Sequence, residues 1–287
     1  MNAQNYKFGK VSKTELQEKE HPKNKEANAA ILYRNQRVYY DLNQQEGISL
    51  ITEIHERIKI YNKEGFNWAT KEIKKYKGKS DKEDLVQLKG YTYNLIDGKV
   101  EEEKLRNDEV FDEDYSRYNA ITKFTMPAVT EGSVIEYTYK IKSPFLGSIG
   151  KTPLQYTIPI NKLELEIEIP EFFGFSNYFN LRSPLKFKLE NSSKTFSKSF
   201  TSVNRQSYST RGRTKSASQV SKVEYKLNTY VINREDIPAL KKEKHLDNLQ
   251  NYAAYIDWEL MYTKFPNSMV ENLSTNWDGV AKSIYTD

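Results

Sequence analysis

The sequence predicts an all-β chain: an antiparallel β-sandwich, immunoglobulin-like or built as extended packed sheets, with short helical segments at both ends. Three observations carry this. Short apolar/polar alternations of period two recur from Ala27 onward, where the helical period disappears. Each run is bounded by Gly, Asn or Asp, as strands are. About a dozen such runs with frequent turn signals leave almost no room for helix, the pattern of packed sheets.

Residues 1–26 are polar and read as an arm, with one short helix in KTELQEKE that Ser12 or Thr14 would cap. Strands follow at RVYYDL (37–42), SLITEIHERIKIY (49–61) and DLVQLKGYTYNL (84–95). Between the last two, KEIKKYKGKSDKED (71–84) interleaves both charge signs, as a solvated surface does. Asp97-Gly98 sits between two strand runs and tolerates the positive φ that a tight hairpin turn demands.

EGSVIEYTYKIKSP (131–144) is the clearest strand. Ile135, Tyr137, Tyr139 and Ile141 share one side of an extended chain and are expected to be buried; Val134, Glu136, Thr138 and Lys140 share the other and are expected to be wet. LQYTIPI (154–160) reads as a further strand. KLELEIEIP repeats the logic, with Leu163, Leu165, Ile167 and Ile169 inward and Glu164, Glu166 and Glu168 outward. A hairpin is expected over 185–200, turning at Asn191-Ser192-Ser193. Residues 201–222 have no apolar period and carry Arg205, Arg211, Arg213, Lys215 and Lys222 without an acid, which predicts a mobile loop or tip. VEYKLNTYVI (223–232) is another strand. From Asp236 the texture changes to short helical turns and one more strand, and Ser274 or Thr275 would cap a last helix in NWDGVAKSIY. The division that follows is an arm (1–26), a β-sandwich domain (27–235) and a connector with one helix (236–287).

Composition narrows the function. The chain has 287 residues, enough for a sizeable core, and no apolar run long enough to span a bilayer as a helix. Lys+Arg 44 against Asp+Glu 39 gives a net charge of +5 with signs interleaved, so no nucleic-acid partner is expected. The absence of cysteine removes disulfides, thiolate metal sites and a Cys nucleophile. His21, His55 and His245 lie far apart, and Lys59 stands where the second histidine of a zinc-protease helix motif starting at His55-Glu56 would fall. The acids Asp108, Glu109, Asp112, Glu113 and Asp114 lack the spacing and glycine of a calcium loop. There is no G-x-S-x-G and no phosphate-binding glycine loop. The 21 tyrosines fit strand packing better than ligand stacking. These residues assign no catalytic, cofactor-binding or metal-binding position, and no cofactor.

EANAAILY (26–33), HERIKIYNKEG (55–65), GYTYNLIDGKV (90–100), KFTMPAVTEGSVIEYTYKIKSP (123–144) and DIPALKKE (236–243), in this order, resemble a β-sandwich domain of unknown function that precedes transglutaminase-like domains in exported bacterial proteins. The resemblance spans most of residues 26–260. It implies a papain-like neighbour in cis using Cys, His and Asp, of which SMVENLSTNWDGVAKSIY is similar to the first helix only. It also implies that NAQNYKFGK is a mature N-terminus after a removed signal, placing the protein in the periplasm, at the cell surface or outside. The expected function is that of a non-catalytic accessory or scaffold domain aiding substrate recognition. The alternative is an autonomous carbohydrate- or peptide-binding module using surface tyrosines or the basic 201–222 segment.

Overall fold

The computed structural model describes residues 6–43, 47–206, 215–241, 248–266 and 268–273, with side chains outside 200–221. Strands account for 59% of the structure and helix for 8%. After a short helix α1 (Lys13–Gln17) come β1 (Ala29–Asn43), β2 (Gly47–Ile60), β3 (Thr70–Tyr76), β4 (Asp84–Ile96), β5 (Lys99–Lys104), β6 (Val110–Ser116), β7 (Asn119–Thr125) and β8 (Val134–Ser143). The second half adds β9 (Thr152–Pro153), β10 (Ile160–Pro170), β11 (Phe173–Phe179), β12 (Glu190–Gln206), β13 (Lys215–Ile237), β14 (Tyr255–Thr263) and β15 (Glu271–Asn272).

These strands build three sheets. The largest has eight strands in the order β12-β13-β10-β1-β2-β8-β4-β5; β3-β7-β6 form a second; β11-β14-β15, with β9 also on β14, form a third. One face of the large sheet carries Ile54, Ile58, Ile135, Tyr137, Leu163, Leu165 and Ile167, all buried, and packs against both smaller sheets in one continuous core. Phe124 of β7 meets Tyr137 edge-on at 5.5 Å, and Phe173 of β11 stacks on Tyr40 at 4.4 Å. The aromatic strand residues fill this interface with large apolar area, which is why a chain rich in surface charge holds together.

Several local signals act as expected. Ser12 caps α1 in a reciprocal capping box with Glu15. Asp97 (φ 49°) and Gly98 (φ 75°) join β4 to β5 with two consecutive positive φ values, the demand of a two-residue hairpin turn.

Other elements depart from the local reading. The pairing of β1 with β10 is parallel, so the large sheet is mixed rather than purely antiparallel. Residues 154–159 are irregular and only Ile160 of that run joins a strand. No turn occurs at 191–193: Glu190–Gln206 is one strand, antiparallel to β13 from Glu190↔Val231 to Gln206↔Lys215. The 201–222 segment is thus mostly the outer part of a long hairpin rather than a loop, and its centre, 207–214, lies outside the described residues. Its polar composition hid the strands because neither face of that ribbon needs to be apolar. The helix expected near Ser274 also lies outside the described residues.

Candidate functional site

The second face of the large sheet was expected to be wet, and part of it is a buried cluster of charges. Strand alternation puts Tyr33 of β1, His55, Arg57 and Lys59 of β2 and Glu136 of β8 on this face, where β2 pairs Arg57 directly with Glu136. The arm then crosses over them: Tyr6 stacks on Tyr33 at 4.6 Å, and Leu16 of α1 joins Leu32, Tyr93 and Val134 in a second, smaller core. Glu136 is fully buried. Its Oε1 accepts from Arg57 Nε (3.0 Å), Arg57 Nη2 (2.7 Å) and His55 Nε2 (2.7 Å), and its Oε2 accepts from the Gly9 backbone N–H (2.8 Å). Arg57 Nη1 donates in turn to Glu15 of α1 at 2.8 Å. The arrangement fastens the arm to the sheet through charge.

Beside it, buried Lys59 has no carboxylate partner among the described residues. Its Nζ donates to the carbonyl oxygens of Leu16 (2.8 Å) and Gly132 (2.6 Å). Burial pushes its ammonium down to about 8, with Glu18 and Glu15 offsetting only part of that cost.

A second network lies on the opposite face, inside the main core. Arg34 pairs with Glu56, which also accepts from the Tyr137 hydroxyl and from Lys71 Nζ at 3.2 Å. Burial alone would raise the Glu56 carboxyl, but Arg34, Lys71 and the Tyr137 hydroxyl outweigh it and hold the group at about 2. Burial and the Glu56 charge push the Tyr137 phenol well above its ordinary range. Glu56 and Arg57 are neighbours in sequence and both buried, on opposite faces, which a half-buried strand does not lead one to expect.

The residues weighed from sequence are not brought together. His21 is buried in the arm, with Nε2 2.8 Å from Asn161 Oδ1, while His55 lies on the sheet beside Glu136 and His245 is outside the described residues. Of the acidic run, Asp112 pairs with Lys75 at 2.8 Å and Asp114 with Lys77 at 2.6 Å, and no group of three or more metal-ligating side chains occurs among the described residues. Glu166 and Glu168 both bind Arg37, at 3.0 and 2.5 Å, and Glu164 accepts from Tyr33. These carboxylates are the polar face of a strand.

A cleft of about 720 Å³ opens where β13 leaves the large sheet. Pro159, Ile160, Leu185, Ile237, Leu240 and Tyr252 give it an apolar lining. Arg182 and the exposed ion pair Lys23–Asp236 (2.5 Å) add charge. Its size suits a small ligand or a peptide side chain. No sequence signal marked it, because its walls come from five separated segments.

Residues 49–218, more than half of the chain and running from β2 into β13, match DUF3857, a domain of unknown function with a solved structure. The chain belongs to that family. A crystal structure from Parabacteroides distasonis, described as a "putative protease", shares the fold with a TM-score of 0.51 at 13% identity, over 80% of this chain and 40% of that one. A crystal structure from Legionella pneumophila, described as a "putative nutrient binding protein", aligns with a TM-score of 0.23 at 7% identity, over 71% of this chain and 67% of that one. No curated protein matches. The DUF3857 chain thus spans two-fifths of the longer structure whose fold it shares.

Proposed function

We propose that this DUF3857 chain is a non-catalytic recognition module that positions substrate for a transglutaminase-like, papain-type domain of the same exported polypeptide. The observation that carries this is chemical. A thiol-dependent mechanism needs a cysteine, and the 287 residues contain none. Beside it, the buried charges are consumed in structural contacts: Glu136 by Arg57, His55 and Gly9, and Glu56 by Arg34, Lys71 and Tyr137. The longer neighbour described as a "putative protease" is consistent with a module that accompanies a catalytic unit. The cleft beside β13 supplies a concave, mixed apolar and charged surface for recognition.

Turnover assays test the reading. The purified chain is expected to show no peptidase or amine-transfer activity on general substrates, with or without calcium. In a longer polypeptide carrying the catalytic domain, removing residues 27–235 should impair turnover of protein substrates more than of small peptides. Activity of the isolated chain that survives repurification would overturn the proposal.

A further inference from the structure

The outer hairpin carries a long strand edge at one end of the large sheet. β10 accompanies β13 only as far as Pro170↔Leu227, whereas β12 continues beside β13 to Gln206↔Lys215. From Tyr225 to Lys215 the two strands therefore have only each other as ladder partners among the described residues, a ribbon on the order of 35 Å long whose base packs on the core through Val223 and Tyr225. β12 is also the end strand of the eight-stranded sheet, so among the described residues no further strand pairs with its outer row of N–H and C=O groups. Every side chain from Glu190 to Ser197 is exposed.

Charge and alternation give this edge a character. No acid occurs between Glu190 and Glu224, while Lys194, Lys198, Arg205, Arg211, Arg213, Lys215 and Lys222 all do. Lys198 reaches Asp41 only at 3.8 Å and stays half-exposed, and Lys222 pairs with Glu224 at 2.7 Å while remaining exposed. On β12, Lys194, Phe196 and Lys198 share one face, and Phe196 is 44% exposed. Ser193, Thr195, Ser197 and Ser199 share the other. Lysines on an edge deter two like ribbons from pairing. The same charges select a partner of opposite sign.

We infer that β12 is a docking edge for an extended acidic polypeptide, which adds as a further strand with acidic side chains beside Lys194 and Lys198 and an apolar one beside Phe196. The partner's pattern is acidic-x-apolar-x-acidic, with small polar residues at x against the Ser/Thr face. An exposed edge satisfies a polypeptide backbone, which a sugar chain or a nucleic acid does not possess, and cross-strand charge pairs then set the register. The inference rests on the reading of the chain as a recognition module and names what that module takes.

The test uses the full chain and the peptide acetyl-Thr-Glu-Thr-Val-Thr-Glu-Thr-amide in titration calorimetry at low salt. Saturable 1:1 binding is expected, lost when both glutamates become lysines and lost when alternate backbone nitrogens are methylated. Lys194→Glu with Lys198→Gln should weaken binding by about tenfold or more with little change in the melt, since a like charge then faces the peptide's glutamate across the added strand and no new carboxylate is set against Asp41. Equal binding of the methylated peptide would overturn backbone pairing. Tighter binding of a sulfated polysaccharide or duplex DNA with no peptide binding would overturn the partner class. Self-association of the chain abolished by Phe111→Ser on the acidic strand β6 would also overturn it, by showing that a second copy fills the edge. Catalytic turnover by the isolated chain would defeat the recognition reading while leaving the peptide result standing, so the two failures are distinguishable.

Discussion

Glu136→Gln separates a buried charge clamp from an ordinary strand residue. In the native protein Oε1 takes three donors, from Arg57 and His55, and Oε2 takes the Gly9 N–H. A glutamine can keep its carbonyl toward Arg57 and His55, but its NH₂ then faces the Gly9 N–H, donor against donor. Turning the amide the other way sets the NH₂ against three donors and is worse. The buried, unsatisfied Gly9 N–H costs about 1–3 kcal/mol. Removing the charge that balances Arg57 brings the total to about 3–5 kcal/mol, the range for breaking a buried ion pair from one side. Denaturant melts compared by midpoint at unchanged slope measure the loss. Amide hydrogen exchange over residues 6–17 reports where it falls, and exchange there should accelerate more than in β8. A loss below about 0.5 kcal/mol with unchanged protection of the arm would refute the clamp and return Glu136 to the wet face that alternation predicts.

Ile135→Ala should cost about 2–5 kcal/mol, because Ile135 is fully buried in the main core, whereas half-buried Thr138→Ala should cost about 0.5 kcal/mol or less; the same melts compare them. The Glu56 carboxyl is held at about 2, below its unfolded value, so its stabilisation is complete above about pH 4.5 and is lost as pH falls toward 2. Over that window it amounts to about 3 kcal/mol, and in melts followed against pH Glu56→Gln should flatten the slope there. Gly65→Ala should destabilise by about 1–3 kcal/mol, since a Cβ would stand 2.3 Å from the Asn28 carbonyl oxygen, a backbone atom that cannot swing away. An unchanged melting temperature for that variant would show that the β2 exit relaxes freely.

The sequence by itself determined what is local. Alternation of period two specifies strands, so β1, β2, β4, β8 and β10 and the inward row Leu163, Leu165, Ile167 and Ile169 were legible, as were the Asp97-Gly98 turn and the Ser12 cap. Family resemblance was legible too, since residues 49–218 do match a domain of unknown function. Tertiary structure alone decided which faces are covered. Alternation sorts side chains into two sets without saying what lies over either, and the cover on Glu136 comes from Gly9, 127 residues away in sequence. Arg57 and Glu56 could not be read as buried, because a charge enters a core only when remote partners meet it there, and those partners are assigned by strand register for Glu136 and Arg34 and by the seating of the arm helix for Glu15, not by neighbouring residues. The parallel β1–β10 pair and the cleft beside β13 also join segments far apart in the chain. The outer part of the β12–β13 ribbon, residues 201–222, was missed for the converse reason, although 223–232 was read as a strand. A two-stranded ribbon needs no apolar face, so this stretch leaves no periodic trace, and the backbone pairing from Ser199↔Lys222 to Gln206↔Lys215 makes its strands visible.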